Sequence, residues 1–414
     1  MGLGKTVQAA VAARLAFKKG AWKRALIISP SSLQLQWADE MKRWAPDLTA
    51  RRVLGDATDR HYTYLLPVSV LFATYDQVRM DGQQLRQRPL FDLVLLDEAQ
   101  RIKNPGADTS LACRLIPRSK SWALSGTPIE NRPEDLVSLF RFLRPGTLNR
   151  GMSRSEMHAA IRPYFLRRTK LQVLPELPPL IVQEIPLILA GAQLLAYQDA
   201  WNSRLTELQG EGSGPASLFA VLTRLKQICN LDEVSGESVK WDALRSIIDQ
   251  TSSAYDKVVV FSQYVTTLRW LAERLSLPGR LLHGGQNVQE RDEVVRWFED
   301  RPGPRVLLAS LRAGGVGLNL KSASVVVMFD RWWNPATESQ AINRGHRFGR
   351  LTPLHVIKFL VTDSIEERID KILSEKSAIF SAYVEAAPTA EPRRLSRADL
   401  LRVLGVPAFN SPSL

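Results

Sequence analysis

The sequence predicts an α/β protein of two lobes, each a mostly parallel sheet covered by helices on both faces. Short, continuously apolar strands alternate with helix-like stretches, which is the pattern of a parallel sheet buried on both sides. The alternation occurs in both halves of the 414-residue chain, and a proline-rich stretch at 173–186 separates them. A chain of this length is also longer than single cores usually support.

The first half contains the elements of a complete lobe. An Ala-rich stretch without Gly or Pro, from Val7 to Phe17, predicts a helix directly after Gly4-Lys5-Thr6. Further helices are predicted at 32–44 and 133–143. The predicted strands are ALIIS at 25–29, VLFAT at 70–74, LVLL at 93–96 and WALS at 122–125.

The second half repeats this order after a break in composition. Its predicted strands are VVVFS at 258–262, VLLAS at 306–310, VVVMFD at 325–330 and HVIKFL at 355–360. We therefore expect a first lobe at 1–170, a linker with a helical insertion at 171–238, a second lobe at 239–385, and a C-terminal linker with a short helix at 386–414. Ser396 would cap that last helix and Gly405 would end it.

Composition narrows the class of protein. The chain is 45% hydrophobic and 23% charged, and it has neither an apolar run of membrane-helix length nor a secretion signal. An intracellular, cytoplasmic protein is therefore expected. Cys113 and Cys229 lie far apart without metal-ligand spacing, which favours buried thiols over a disulfide or a zinc site. The net charge of +13 favours a polyanionic partner.

The opening MGLGKT fits two patterns. Read from Met1, it matches an N-terminal myristoylation signal. Read from Gly4, it is the last part of a phosphate-binding loop, with a lysine for phosphates and a hydroxyl for Mg²⁺. The string FDLVLLDEAQ favours the second interpretation, because an apolar strand delivers Asp97 and Glu98 at its carboxyl end, where parallel sheets bind ligands. Asp97 would hold Mg²⁺, and Glu98 would orient or deprotonate the attacking water.

A set of longer strings makes the resemblance specific. DEAQ, SGTPIEN and the two-lobe order resemble a superfamily-two helicase with RecA-like P-loop lobes, and further strings resemble its Swi/Snf branch of double-stranded DNA translocases and chromatin remodellers. They occur in the family's order over nearly the whole chain. The strings are MGLGKTVQ, ISPSSLQLQW, TYDQV, SGTPIENRPEDLVSLFRFLRPG, YFLRRTK, FSQY, SLRAGGVGLNL and DRWWNPATESQAINRGHRFGR.

The resemblance implies a nucleotide site that uses ATP and Mg²⁺. The catalytic residues would be Glu98, Lys5 and two arginine fingers, Arg344 and Arg347, which in the family reach the γ-phosphate from the second lobe. Guanidinium donors stabilise the charge that spreads over phosphoryl oxygens in the transition state. Thr6 and Asp97 would hold the metal. The residues implied to bind nucleotide are Gly2, Gly4, Lys5, Thr6, Asp97, Gln100, Ser125, Thr127 and Gln340.

The resemblance also implies duplex DNA as a partner, held through its backbone and without sequence preference. A nucleoprotein substrate is a further expectation, and no membrane partner is expected. Trp37 and Trp44 are expected to pack in the core, and one of Trp332 and Trp333 is expected to be buried. The implied DNA contacts are Pro30, Ser31, Gln36, Thr74, Tyr75, Ser310, Gly314 and Gly315.

The chain departs from the family pattern at several places. The adenine-contacting motif and the strand that precede the phosphate loop are missing, so we expect an N-terminally truncated first lobe in which 93–96 lacks a neighbouring strand. Such a chain is expected to purify poorly and to have little activity. Arg350 replaces a usual Gln, Gly345 replaces a usual small Ala, and the segment 146–161 is short.

Three functional hypotheses follow. The leading one is a DNA-stimulated ATPase that translocates on double-stranded DNA, associated with the nucleoid if the protein is bacterial. The second is a helicase that separates strands of RNA or DNA. The third is a catalytically silent DNA-binding fragment, because half of the phosphate loop is missing. A duplex-unwinding assay separates the first two.

Overall fold

The protein forms two compact units, at 1–175 and 176–414, in the computed structural model. The structure describes residues 3–87, 91–126, 133–149, 151–166, 168, 170–174, 176–209, 215–253, 256–310, 320–332, 335–347, 349–386 and 401–405. Each unit contains one sheet, and every strand pair in both sheets is parallel. This is the predicted architecture of two α/β lobes.

The first unit is built on a five-stranded sheet of order β2-β3-β1-β4-β5. Its strands are β1 (Ala25–Ser29), β2 (Ala50–Arg52), β3 (Val70–Thr74), β4 (Phe91–Asp97) and β5 (Arg118–Leu124). Its helices are α1 (Lys5–Lys18), α2 (Gln34–Trp44), α3 (Ala57–Thr63), α4 (Tyr75–Met80), α5 (Gly82–Arg86), α6 (Asp108–Leu115), α7 (Pro133–Leu143), α8 (Arg154–Ile161) and α9 (Lys170–Val173).

Strand β4 lies in the interior of this sheet. It pairs with β1 on one side and with β5 on the other, and residues 93–96 are at most 1% exposed. The expectation that 93–96 would lack a neighbouring strand is therefore wrong. The error lies in the assumed strand order. The neighbour of β4 on this side is β5, and not the strand that would precede the phosphate loop.

The second unit is built on a six-stranded sheet of order β6-β11-β10-β7-β9-β8. Its strands are β6 (Leu180–Leu187), β7 (Lys257–Ser262), β8 (Gly279–Leu282), β9 (Arg305–Ser310), β10 (Val325–Met328) and β11 (Leu354–Val361). Its helices are α10 (Gly191–Gln209), α11 (Pro215–Asn230), α12 (Val239–Ser253), α13 (Val265–Ala272), α14 (Val288–Asp300), α15 (Pro335–Gly345) and α16 (Ile365–Ala386).

Alternate residues of the central strands face two different cores. In β7, Val258 and Val260 pack into one hydrophobic cluster, whereas Val259 and Phe261 pack into another. This sheet is therefore buried on both faces, which explains why its strands are continuously apolar in sequence. A third cluster joins α10, α11 and α16 with Val403 and Leu404 of the C-terminal segment.

The sequence missed three strands, β2, β6 and β8. All three lie at sheet edges and are largely exposed, so they lack the buried apolar run by which the other strands were recognised. Strand β6 falls within the stretch expected to be a linker. Its Pro186 is tolerated because an edge strand does not use all of its N–H groups for pairing.

No helix among the described residues has the length and apolar character to cross a membrane. Both cysteines are buried free thiols, as predicted.

Candidate nucleotide and nucleic-acid site

The Gly-Lys-Thr turn leads directly into a helix. Gly4 adopts a left-handed conformation with φ 70°, and α1 begins at Lys5. A Cβ atom at Gly4 would meet no atom within 4 Å, so the backbone there borders open space. The amide of Gln8 donates to the carbonyl oxygen of Gly4, which starts the helical ladder. The N–H groups in the first turn of a helix have no partner within the helix, and they favour binding of an anion at this end. Gly2 lies outside the described residues.

Asp97 and Glu98 lie where β4 ends, at the carboxyl edge of the first sheet. They are 4% and 9% exposed. Glu98 has φ 52° and ψ 51°, a left-handed conformation that is uncommon for a residue with a Cβ atom. Such local strain is typical of functional sites, where the surrounding structure holds it.

The Asp97 carboxylate has an unusual electrostatic environment. Burial raises the pKa of this carboxyl above its usual range, and the neighbouring Glu98 raises it further. A hydrogen bond of 2.9 Å from Nε1 of Trp37 and the positive charge of Lys5 oppose the shift in pKa. The sequence predicted Trp37 to be a core residue. It is 1% exposed, but its indole N–H also orients a site carboxylate.

A chain of hydrogen bonds continues from Glu98 to the next predicted motif. Nε2 of Gln100 donates to Oε2 of Glu98 at 2.6 Å, and Oγ of Ser125 donates to Oε1 of Gln100 at 2.9 Å. Three residues predicted for the nucleotide site therefore lie together at the ends of β4 and β5. Thr127 lies outside the described residues.

The predicted DNA residues of this unit follow β1 and β3. Pro30 is buried, Ser31 is exposed and Gln36 is half-buried. Thr74 caps α4 by accepting from the amide of Gln77. The sequence missed Gln34, whose side chain donates to Oγ of Ser29 and to the carbonyl of Ala73, and so joins the ends of β1 and β3.

Tyr75 lies deeper than a residue whose side chain contacts DNA directly. It is 2% exposed, and its hydroxyl donates to the backbone carbonyl of Asp97 at 2.7 Å. The guanidinium of Arg101 lies over the Tyr75 ring, 5.8 Å from its centroid. Tyr75 therefore connects the end of β3 to the acidic pair at the end of β4.

Trp44 is 39% exposed and donates to Glu40, so its expected core packing is wrong.

The oxygen donors of this unit suit Mg²⁺. Asp97 supplies a buried carboxylate, and Thr6 supplies a hydroxyl in the first turn of α1. Hard oxygen ligands from one or two side chains, completed by phosphate and water, are the usual environment of protein-bound Mg²⁺. Among the described residues no cluster of three or more His, Cys, Asp or Glu side chains forms an all-protein metal cage.

In the second unit, Asp330 anchors the turn after β10. It is fully buried and accepts from the side chains of Ser262, Gln263 and Asn230. Ser310, a predicted DNA contact, lies at the end of β9 and is 4% exposed. Gly314 and Gly315 lie outside the described residues.

Helix α15 carries Gln340 and Arg344, and Arg347 follows it. Glu338, 4% exposed, fixes the start of this helix by accepting from the amide of Trp332 and from Nζ of Lys358. The guanidinium of Arg331 also lies beside this carboxylate. Trp332 is half-buried, and Trp333 lies outside the described residues.

The two residues of this region that depart from the family pattern, Arg350 and Gly345, have local structural reasons. Arg350 is 6% exposed and donates to the carbonyls of Thr352, Pro353, Lys321 and Ala323. At Gly345, a Cβ atom would lie 3.1 Å from Leu354 Cδ2, which is tight. Here the helix backbone approaches β11 closely.

A buried polar network that the sequence did not reveal joins α11 to the turn after β10. Lys226 and Lys240 are both fully buried. Nζ of Lys226 donates to the carbonyl of Arg331 at 2.6 Å, and Nζ of Lys240 contacts Glu366 at 2.6 Å and Asn230 at 2.9 Å. Burial lowers the pKa of Lys226. Both lysines lie in helices that also carry other polar residues, so no sequence pattern marked them as buried.

Two family models match the chain. The SNF2-related domain matches residues 1–234, and the helicase conserved C-terminal domain matches residues 239–349.

Named relatives match over nearly the whole chain. One is a Bacillus subtilis protein named as an ATP-dependent helicase/translocase, 33% identical over 93% of this chain and 46% of its own length. Another is an ISWI chromatin-remodeling complex ATPase of Arabidopsis thaliana, 27% identical over 98% of this chain and 42% of its own. The chain thus spans less than half the length of these relatives. A solved SWI2/SNF2 ATPase core of Sulfolobus solfataricus in complex with dsDNA is 28% identical, with a TM-score of 0.45 over 98% of this chain and 91% of that one.

Proposed function

Because this chain belongs to the SNF2 family of ATP-dependent helicases and translocases, with two RecA-like lobes, we propose that it hydrolyses ATP and translocates along double-stranded DNA. The observation that carries the proposal is the joined site at the ends of β4 and β5, where Glu98, Gln100 and Ser125 are hydrogen-bonded in series beside a buried Asp97. The names of the relatives, a helicase/translocase and a remodelling ATPase, support DNA as the substrate.

In this proposal each residue of the first unit has one role. Lys5 neutralises the β and γ phosphates, and Thr6 and Asp97 hold Mg²⁺. When bound, the metal neutralises phosphate charge and orients the phosphate oxygens. Glu98 accepts a proton from the attacking water, because it is a carboxylate held in a fixed, strained position. Gln100 keeps that carboxylate aimed, since its amide donates to one oxygen and leaves the other for water.

Nucleic acid would influence hydrolysis through short connections within the first unit. Thr74 ends β3 and Tyr75 begins α4, and the Tyr75 hydroxyl donates to the backbone carbonyl of Asp97. A displacement of the β3–α4 junction on DNA binding would therefore reach the acidic pair through one hydrogen bond. Ser31 and Gln36 would contact phosphates directly, and the second unit would contribute contacts in the segment that includes Ser310, Gly314 and Gly315. Arg344 and Arg347 would supply the guanidinium donors.

The proposal is tested by ATPase assays with purified chain and matched polyanions. We expect duplex DNA to stimulate hydrolysis more than single-stranded DNA or duplex RNA, and we expect no strand separation in a parallel unwinding assay. Lys5→Ala should abolish the stimulated rate, while Lys19→Ala, a change in an exposed lysine after the same helix, should not. Stimulation by RNA equal to that by DNA, or unwinding of a duplex, would replace translocation with the strand-separating activity.

A further inference from the structure

Strand β2 is an open edge of the first sheet. It is the terminal strand in the sheet order and pairs only with β3 among the described strands. The amide of Val70 donates to the carbonyl of Thr49, and the amide of Val53 donates to Phe72. In a parallel ladder this pattern turns Thr49, Arg51 and Val53 toward β3. The N–H groups of Ala50 and Arg52 therefore point outward, where another strand could pair with them.

A groove of about 840 Å³ runs along this edge. Helix α2 forms one wall, and α3 contributes to the other. The lining is mostly apolar, and Leu54 in it is 52% exposed. An exposed leucine beside unpaired strand N–H groups is a combination that natural sheets usually avoid or cover. The lining residues are Ala38, Lys42, Pro46, Leu48, Ala50, Arg51, Arg52, Leu54, Thr63 and Phe72.

The groove is cationic. Lys42, Arg51 and Arg52 line it, and none of its lining residues is acidic. Nε of Arg52 is buried and has no hydrogen-bond partner in the part of the chain that the structure describes. Two carboxylates close in sequence are engaged elsewhere, since Asp47 pairs with Arg14 and Asp56 caps α3. An anionic group entering the groove would therefore meet three cations and no acidic lining residue.

We propose that this groove binds an acidic, extended peptide segment of a partner protein, which adds to β2 as a further strand. The outward N–H groups would provide main-chain hydrogen bonds, the apolar lining would accept alternate side chains, and the three cations would select acidic residues. A DNA duplex fits the observations less well, because the phosphate oxygens of its backbone are acceptors only and cannot pair with the C=O groups of a strand edge. A second copy of this chain is disfavoured by its net charge of +13.

The test uses the full chain and a synthetic peptide that alternates Glu with Val over about seven residues, the length that spans β2 and its flanks. Its matched control is the same Glu-Val peptide with every backbone nitrogen methylated, which keeps the side chains and the charge and removes the main-chain donors. We expect the Glu-Val peptide to bind and the N-methylated peptide to bind at least about tenfold more weakly, as expected for the loss of main-chain pairing. A thermal shift or fluorescence anisotropy titration measures both.

Two variants separate the contributions of charge and strand pairing. The pair Arg51→Glu and Arg52→Glu should weaken binding at least about 30-fold by charge repulsion. Ala50→Pro removes one outward N–H group without touching the β3 ladder and should weaken binding about fivefold. The control pair Arg79→Glu and Arg86→Glu reverses two exposed cations on α4 and α5 and should leave binding unchanged. None of these residues belongs to the proposed ATP site, so hydrolysis without DNA should be unaffected.

Several outcomes would overturn the proposal. One is that the N-methylated peptide binds equally well, which would show that charge alone accounts for binding in the groove. Another is that the Arg51 and Arg52 reversals leave peptide affinity unchanged. A third is that duplex DNA displaces the peptide and loses affinity in the same variants, which would assign the groove to nucleic acid. A fourth is a dimer in light scattering that Ala50→Pro dissolves, which would identify a second copy as the occupant.

Discussion

Nε1 of Trp37 lies 2.9 Å from Oδ2 of Asp97 and donates a hydrogen bond to it. Both side chains are buried, at 1% and 4% exposure. The bond joins helix α2, which follows β1, to the residue that ends β4. A tryptophan that the sequence assigns to the core thus also donates to the carboxylate proposed to hold Mg²⁺ and favours its ionised form.

Trp37→Phe is expected to shift the pH dependence of ATP hydrolysis. Phenylalanine retains most of the buried surface but cannot donate to Asp97. The donor favours the ionised carboxylate, so its loss raises the pKa of Asp97 beyond the increase already caused by burial and Glu98. The acidic limb of the rate profile should therefore move to higher pH. Trp44→Phe is the matched control, because its indole is 39% exposed and donates to Glu40.

Glu98→Gln is expected to retain ATP binding and to lose hydrolysis. Glutamine keeps the size of the side chain but cannot accept a proton from water, and loss of such a group costs at least about 100-fold in rate. Binding is measured with a fluorescent ATP analogue, and turnover by phosphate release. Glu40→Gln, on the surface of α2, serves as the control. Turnover within about threefold of the unmodified chain would remove Glu98 from the role of general base.

Most of the buried strands could be predicted, because a strand that is buried on both faces is a continuous apolar run in the sequence. Strands β1 and β3 match the predicted limits, and α7 does as well. The edge strands could not be predicted, since β2 reads Ala-Arg-Arg and has no apolar pattern. In the site, the string DEAQ indicated Asp97 and Glu98 directly. The supporting bonds from Trp37 and Tyr75 to Asp97, and from Gln34 to Ala73, connect residues distant in sequence, and only the folded sheet brings them together.

DNA-stimulated hydrolysis is expected to fall steeply with salt. A chain of net charge +13 that contacts phosphates releases counterions, and affinity drops by about 10³ to 10⁵ between roughly 50 and 200 mM salt for six to ten contacts. Duplexes of different base composition should give similar curves, because backbone contacts carry no sequence information. Half-maximal DNA concentration, measured across a salt series with two unrelated duplexes, checks both statements. A strong preference for one sequence would contradict the backbone mode.

Lys240→Met is expected to destabilise the second unit strongly. Lys240 and Glu366 are both fully buried, and their charged atoms lie 2.6 Å apart. Removing the ammonium leaves a buried carboxylate unpaired, which typically costs about 3 to 5 kcal/mol. The combined change Lys240→Met with Glu366→Leu should recover much of that loss, because no isolated charge remains. Urea denaturation of the two variants measures the free energies of unfolding, and equal destabilisation of both would contradict the charge argument.

Arg350→Gln places the residue usual in the family at this position, and we expect it to destabilise this chain. The Arg350 guanidinium donates to four carbonyls, those of Thr352, Pro353, Lys321 and Ala323. These carbonyls belong to the two segments that precede β10 and β11, so Arg350 ties both loops together. Burial lowers the pKa of this guanidinium.

The glutamine amide has two N–H groups and a shorter reach, so it can satisfy at most two of the four carbonyls. Each carbonyl left buried without a donor costs about 1 to 3 kcal/mol, and the variant with two such carbonyls should therefore lose roughly 2 to 6 kcal/mol of unfolding free energy. Arg350→Lys should be intermediate, because the ammonium has three donors but no planar fork. Arg301→Gln, in an exposed loop, is the control. If Arg350→Gln unfolded at the same urea concentration as the unmodified chain, the four bonds would contribute nothing to stability, and the arginine would need a role in binding instead.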